Sequence, residues 1–196
     1  MPTYARPSWL EQLKKEPLEI LGYHGTSVAR ATQILRGGFR LSQNDWDWLG
    51  EGIYFWQDAP LRALQWARTW PGARTGGGHA VIQARLRLED CMDLLDNDWN
   101  DLFSEASARF VRTWAQEGRQ IPTNNKPYGC NRLDRAYFDF IVGDLRRTSV
   151  PIRSIRTAVT EGLPVQPASP ICFDSHVQVA IRDHSLISDI RLVYTE

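Results

Sequence analysis

The sequence predicts an α+β domain, on three observations. The front of the chain carries the segments with apolar residues at helical spacing, so helices are expected there and strands behind. The last quarter reads almost wholly as strands. No composition break, internal repeat or low-complexity tract divides residues 1–196, so they are expected to form one domain.

Ser8 is a good N-cap for a short helix with Trp9, Leu10 and Leu13 on one side. Pro17 ends it, so residues 1–18 read as a helical extension. A strand follows over residues 19–24. Ser27 then caps a helix carrying Val28, Ala31, Ile34 and Leu35, which Gly37 and Gly38 close. "FRLSQNDWDWLG" is a polar loop studded with tryptophan, and "GIYFW" is a short strand. Asp58 is expected to cap a helix over residues 59–70, with Pro60 in its first turn. "PGARTGGGH" is a flexible surface loop. Its glycines match no phosphate-binding motif, because no helix start with Lys-Ser/Thr follows. "HAVIQARLRL" is a strand. Helices are expected over residues 98–117 and 131–145, joined by a loop over 122–130, and strands over 155–159, 175–182 and 190–194.

A hydrophobic fraction of 42% is enough to fill a core. The eight tryptophans are mostly expected inside it, with some left to line a pocket. The formal net charge is zero, which argues against non-specific coating of nucleic acid. Arg146, Arg147, Arg153 and Arg156 are either a local basic groove or a solvated face. Cys91, Cys130 and Cys172 have no zinc-ligand spacing and are expected to be reduced, mostly buried thiols. No metal is expected. Residues 1–6 have no apolar run behind them, so no signal peptide is expected. No apolar stretch approaches the ~20 residues of a membrane span. A cytoplasmic protein without membrane contact is the expectation.

"LGYHGT", at residues 21–26, read alone is a strand end entering a tight turn. Two further segments follow it in order, "LGEGIYFWQDAPLRALQWA" at 49–67 and "DSHVQVAIRD" at 174–183. Together they resemble the ADP-ribosyltransferase superfamily, in particular its PARP-like, diphtheria-toxin-like branch, which carries a His, a Tyr and usually a Glu on three strands. The resemblance covers residues 22–67 best, the third segment less well and the middle helices weakly. It implies a split β-sheet core with flanking helices and NAD as substrate.

On that resemblance, His24 contacts the ribose hydroxyls beside the nicotinamide. The backbone N–H and C=O of Gly25 pair with the nicotinamide carboxamide, and a side chain there would block it. Thr26 and Gly52 belong to the same cofactor-binding motifs. Tyr54 stacks on the nicotinamide ring, Ala63 leaves room for it, and Trp66 supplies the opposite wall. Ser42, Asn44 and Trp48 are candidates for ribose or adenine, and Arg30 or Arg40 for phosphate.

The third motif departs from the family. Gln178 stands where the glutamate is expected. An amide accepts the same hydrogen bond but carries no charge for a forming oxocarbenium ion, and it cannot serve as general base. His176, two residues earlier on the same strand face, is a candidate for acceptor choice or for the base. Glu161, in the turn before the strand, is a candidate substitute carboxylate; Glu51 is a weaker one.

The resemblance implies an enzyme that cleaves NAD and transfers ADP-ribose to a macromolecule, whether protein, RNA or DNA. By analogy it would be a toxin or phage-defence effector, with an antitoxin or regulatory protein restraining it. Other readings are NAD glycohydrolysis, RNA 2′-phosphotransfer, a non-catalytic NAD or ADP-ribose binding module made inert by Gln178, and a structural protein with no ligand.

Overall fold

The computed structural model describes residues 17–42, 44, 46–69, 77–124, 131–147 and 151–196. The helix expected from Ser8, with Trp9, Leu10 and Leu13, lies outside the described residues. So do Trp70, most of the glycine-rich loop, Cys130 and the middle of the 122–130 connection.

Among the described residues seven strands form one sheet in the order β4-β5-β6-β2-β1-β3-β7. β1 (Leu18–Ser27), β2 (Ile53–Gln57) and β3 (His79–Leu88) come from the first half of the chain. β4 (Cys91–Asp93), β5 (Ser154–Val159), β6 (His176–Ile181) and β7 (Ile187–Thr195) follow. All neighbours are antiparallel except β4 and β5. Among the described residues four α-helices flank the sheet: α1 (Val28–Gly37), α2 (Pro60–Thr69), α3 (Asn100–Gln116) and α4 (Arg132–Arg147). The α+β expectation therefore holds, with strands and helices interleaved through the first half.

Local chemistry accounts for most boundaries. The Ser27 hydroxyl accepts from the Arg30 N–H at the start of α1, and Gly38 closes that helix at φ 79°. Asp58 does not cap α2 as expected. It sits in a left-handed turn at φ 50°, its N–H donates to the Leu21 carbonyl, and the helix begins two residues later at Pro60. β4 was not legible as a strand. It is three residues long, and it forms because Cys91 to Asp93 lie in parallel register with Ser154 to Arg156.

The two faces of the sheet are covered differently. α1 packs over Ile20, Ile53, Phe55, Ile82, Leu86, Val179 and Ile181, the main core. The opposite face carries two separate clusters. One joins Trp56, Ala63 and Val81 under α2; the other joins Leu49, Met92, Ile155 and Ala180 under α3 and α4. β3 is buried continuously from Ala80 to Ala84 and alternates only beyond that, where Arg85 and Arg87 face solvent.

Two expectations about surface chemistry change. Arg147, Arg153 and Arg156 are each held by carboxylates: Asp144 at 2.8 Å, Glu89 and Asp183 at 2.5 and 2.9 Å, and Asp93 at 3.0 Å. Among the described residues Arg146 is exposed and without an ion pair while the other three are neutralised, so the four do not make a basic groove. Cys91 and Cys172 are free thiols but half-buried rather than buried; burial pushes the Cys91 thiol up to about 11. No described helix is long and apolar enough to cross a membrane.

α2 approaches β1 closely at Gly25. A Cβ there would stand 1.8 Å from the main-chain oxygen of Ala63 in α2. Gly25→Ala must therefore push α2 off the sheet. The expected loss is about 1–3 kcal/mol or more, read as a lower urea midpoint at unchanged m-value.

Candidate functional site

β1 pairs with β3 along its whole length, but with β2 only at Gly22–Gln57 and Tyr23–Trp56. Antiparallel pairing alternates along a strand, so every second residue of β1 turns its N–H and C=O toward β2. The Leu21 carbonyl accepts the Asp58 N–H on that side, whereas the Val28 N–H meets the Gly78 carbonyl on the β3 side. Gly25 is thus in phase with Leu21 and Tyr23, and the register would pair it next with Tyr54.

That pair is not made. The Tyr54 carbonyl instead accepts from His24 Nδ1–H at 2.9 Å. The imidazole acts as a wedge at this point, and its ring packs edge-on against Phe39 and Phe55 at 5.2 and 5.9 Å. Beyond Tyr23 the sheet opens, and the peptide edge of Gly25 faces the opening without a β2 partner. A main-chain donor and acceptor side by side on a rigid strand form a ready site for an amide.

The wedge also fixes the state of His24. Burial pulls its pKa below the ordinary 6.5, and the nearby Arg30 adds to that. A neutral ring that donates through Nδ1 carries its lone pair on Nε2. His24 therefore offers an acceptor, the group a sugar hydroxyl needs.

Tyr54 and Gln178 lie on the other sheet face, at the border between the two apolar clusters. The Tyr54 hydroxyl accepts from the Leu49 N–H at 2.9 Å and donates to the Gly50 carbonyl at 2.7 Å, tying β2 to the preceding loop. Burial raises its pKa well above the usual phenol range. Gln178 is opposite Trp56 in β2 and Thr157 in β5, and its oxygen accepts from the Trp48 indole N–H. Trp48, a candidate for adenosine in the sequence, is seated on the third motif instead.

His176 shares a strand face with Gln178 and packs against the Trp56 ring, 6.2 Å between centroids. Its Nδ1–H donates to the Asp174 carbonyl at 2.7 Å, so Nε2 carries the lone pair; burial lowers its pKa. Glu161 is exposed and paired with Arg62 of α2 at 2.6 Å. Its carboxylate is therefore engaged by Arg62, near His176.

The remaining candidates fall in two groups. Gly25 and Ala63 meet where α2 crosses β1, so the absence of a side chain at Gly25 is set by the helix and not by a ligand. Ala63 is fully buried in that contact. Trp66 is half-buried and packs on Trp56 at 5.7 Å, and Thr26 is buried in β1. Ser42, Asn44 and Gly52 belong to the loop over 40–52. Ser42 bridges to Gly52 through the backbone, and the buried Asp47 carboxylate binds the Ser42 hydroxyl at 2.7 Å and the Asn44 N–H. The Glu51 N–H donates to Asp139 at 3.3 Å, and Arg40 is exposed.

The sequence reading missed Trp56, Asp47 and the role of Trp48. The parity of "GIYFW" places Trp56 on the Tyr54 face and could have found it; Asp47 and Trp48 carry no such signal. A separate open cavity of about 580 Å³, walled by Trp114, Arg119, Arg132 and Asp139, includes none of the predicted site residues. Among the described residues no group of three or more His, Cys, Asp or Glu side chains could hold a metal ion.

The depressed pKa of His24 sets a pH dependence. The unfolded chain binds a proton near 6.5 that the folded site does not take up until lower pH. Stability is therefore complete above about pH 7 and declines as pH falls through and below 6.5. Equilibrium urea unfolding between pH 5 and 8 should show that slope, flattened in His24→Asn. An equal slope in both proteins would remove His24 as its source.

No protein-family model matches the chain, and no curated protein matches it in sequence.

Proposed function

We propose that the chain binds NAD in the opening between β1 and β2 and acts as an ADP-ribosyltransferase of the PARP-like, diphtheria-toxin-like kind. The observation that carries this reading is the unpaired peptide edge of Gly25, held open by His24. The edge matches a carboxamide in donor and acceptor, as nicotinamide requires. The neutral Nε2 of His24 lies on the adjoining residue, ready for a ribose hydroxyl. Tyr54 and the Trp56–Trp66 pair supply aromatic surface on the far face.

The reaction breaks the bond between the nicotinamide nitrogen and ribose C1′. The electron pair leaves with nicotinamide, and an acceptor nucleophile bonds C1′ and gives up a proton. His176 Nε2 is the candidate to receive that proton. The acceptor is a protein, RNA or DNA, and a regulatory or antitoxin-like partner would restrain the activity.

One observation favours a second reading, an ADP-ribose binding module. Gln178 brings no charge to the forming cation, and Glu161 is occupied by Arg62.

The test is NAD labelled on its adenylate phosphate, mixed with the protein and a cell lysate. Aliquots are then digested with protease, RNase or DNase. Label lost on one digestion names the acceptor class; free ADP-ribose without labelled macromolecule marks a glycohydrolase. NAD bound but intact selects the binding module, and NAD neither bound nor cleaved ends the proposal. His24→Ala should abolish both binding and label.

Gln178→Glu separates the two readings further. Only the forming cation offsets a buried carboxylate at this position, so if the chain is a transferase the substitution is expected to raise nicotinamide release by about tenfold or more, one ionic contact to a developing charge being worth at least ~1.4 kcal/mol, while lowering the stability of the free protein. Unchanged release would mean that residue 178 does not face the reacting ribose.

A further inference from the structure

Gln178 is only 8% exposed, yet its side chain makes one hydrogen bond among the described residues, from Trp48. An indole N–H can only donate, so the partner must be the amide oxygen. That contact removes the ambiguity of the amide: Oε1 faces the loop and the –NH2 faces away. The –NH2 group bonds nothing among the described residues and is not one of the sealed polar atoms. What Gln178 offers a ligand is therefore a pair of donors.

Trp48 is itself held from several sides. Its ring meets Phe138 of α4 edge-on at 6.4 Å. The next two residues are clamped by the Tyr54 hydroxyl, and the preceding residue is Asp47, whose carboxylate ties the loop to Ser42 and Asn44. The loop over 40–52 thus reaches across 130 residues of sequence to set one amide.

We propose that Trp48 is the positioning residue of this site. It locks the Gln178 amide so that –NH2, and not the carbonyl oxygen, meets an acceptor oxygen of the ligand, a ribose hydroxyl or a phosphoryl oxygen. The inference rests on the reading of the opening as an ADP-ribose site. It departs from that reading's simplest form, in which Gln178 stands in for a carboxylate by accepting a hydrogen bond. Trp48 touches no reacting atom; it acts through Gln178.

The experiment measures ADP-ribose binding by calorimetry to the full chain and to Trp48→Phe, Gln178→Leu and the double substitution. Phenylalanine keeps the ring against Phe138 and removes only the N–H. Trp48→Phe should weaken binding about fivefold, because the freed amide must be ordered again on binding. Gln178→Leu should weaken it about tenfold through the lost donor. The double substitution should bind no worse than Gln178→Leu alone. An equal loss from Trp48→Phe in both backgrounds, or no loss in either, overturns the proposal, since a merely structural tryptophan costs the same whatever stands at 178.

Hydrogen exchange of the Trp48 indole N–H, read by NMR without ligand, reports the contact itself. It should be slow in the natural sequence and fast in Gln178→Leu; fast exchange in the natural sequence also overturns the proposal. If the natural sequence binds no ADP-ribose while that N–H stays protected, the ligand assignment fails and the positioning role falls with it. If it binds while the N–H exchanges freely, only the positioning role fails.

Discussion

The hydrogen bond from His24 to the Tyr54 carbonyl is the contact on which the architecture turns. In an uninterrupted antiparallel pair that carbonyl would take the Gly25 N–H, and the strand edge would be sealed. Giving it to an imidazole forgoes ladder bonds worth about 0.5–1.5 kcal/mol each, net. The sheet tolerates this because each side of the opening is secured independently. β1 keeps ten paired positions with β3, and β2 keeps four with β6. Phe39 and Phe55 pack on the wedge, and α2 presses on Gly25 from the opposite face. The opening is therefore a built feature of the sheet's centre and not a frayed edge.

Much of this could be read from the chain. Ser27, Gly38 and the "GIYFW" run each announce their element by local chemistry, and the structure has those elements there. What escaped was set by distant partners. β4 exists only because β5 lies beside it. Asp58 looks like a cap, but the Leu21 carbonyl draws its N–H into the sheet and leaves it in a left-handed turn. The sequence motif gives Gly25 a ligand-facing reason to lack a side chain, whereas the missing side chain answers to the Ala63 carbonyl. The backbone edge and the missing Cβ are separate properties of one residue, pointing in perpendicular directions: the first answers to the His24 wedge and the second to Ala63.

The candidate site divides in the same way. His24, Tyr54 and Gln178 could be placed on three strands from their motifs, and those strands are neighbours through β2. Which group each offers was not legible. That depends on Nδ1 of His24 finding one carbonyl, on the Tyr54 hydroxyl being spent on Leu49 and Gly50, and on an indole that arrives from a loop. Side-chain orientation inside a polar site is fixed by such long-range contacts, and no periodicity encodes them.

A neutral amide at residue 178 also fits the charge environment around it. A buried carboxylate needs a counter-charge or several donors to stay ionised. Arg62, the cation beside His176, is committed to Glu161 and the Asp174 carbonyl, and Arg182, further along the same strand face, is drawn to Asp139. A single indole N–H would be left to hold a buried negative charge. An amide needs no such compensation and keeps the same hydrogen bond to Trp48. On the proposed reading the site is built around dipoles, with a neutral histidine on one face of the sheet and a fixed amide on the other. Recognition proposed for such a site rests on the direction of hydrogen bonds and not on charge, which would make the tryptophan that orients the amide part of the site's chemistry.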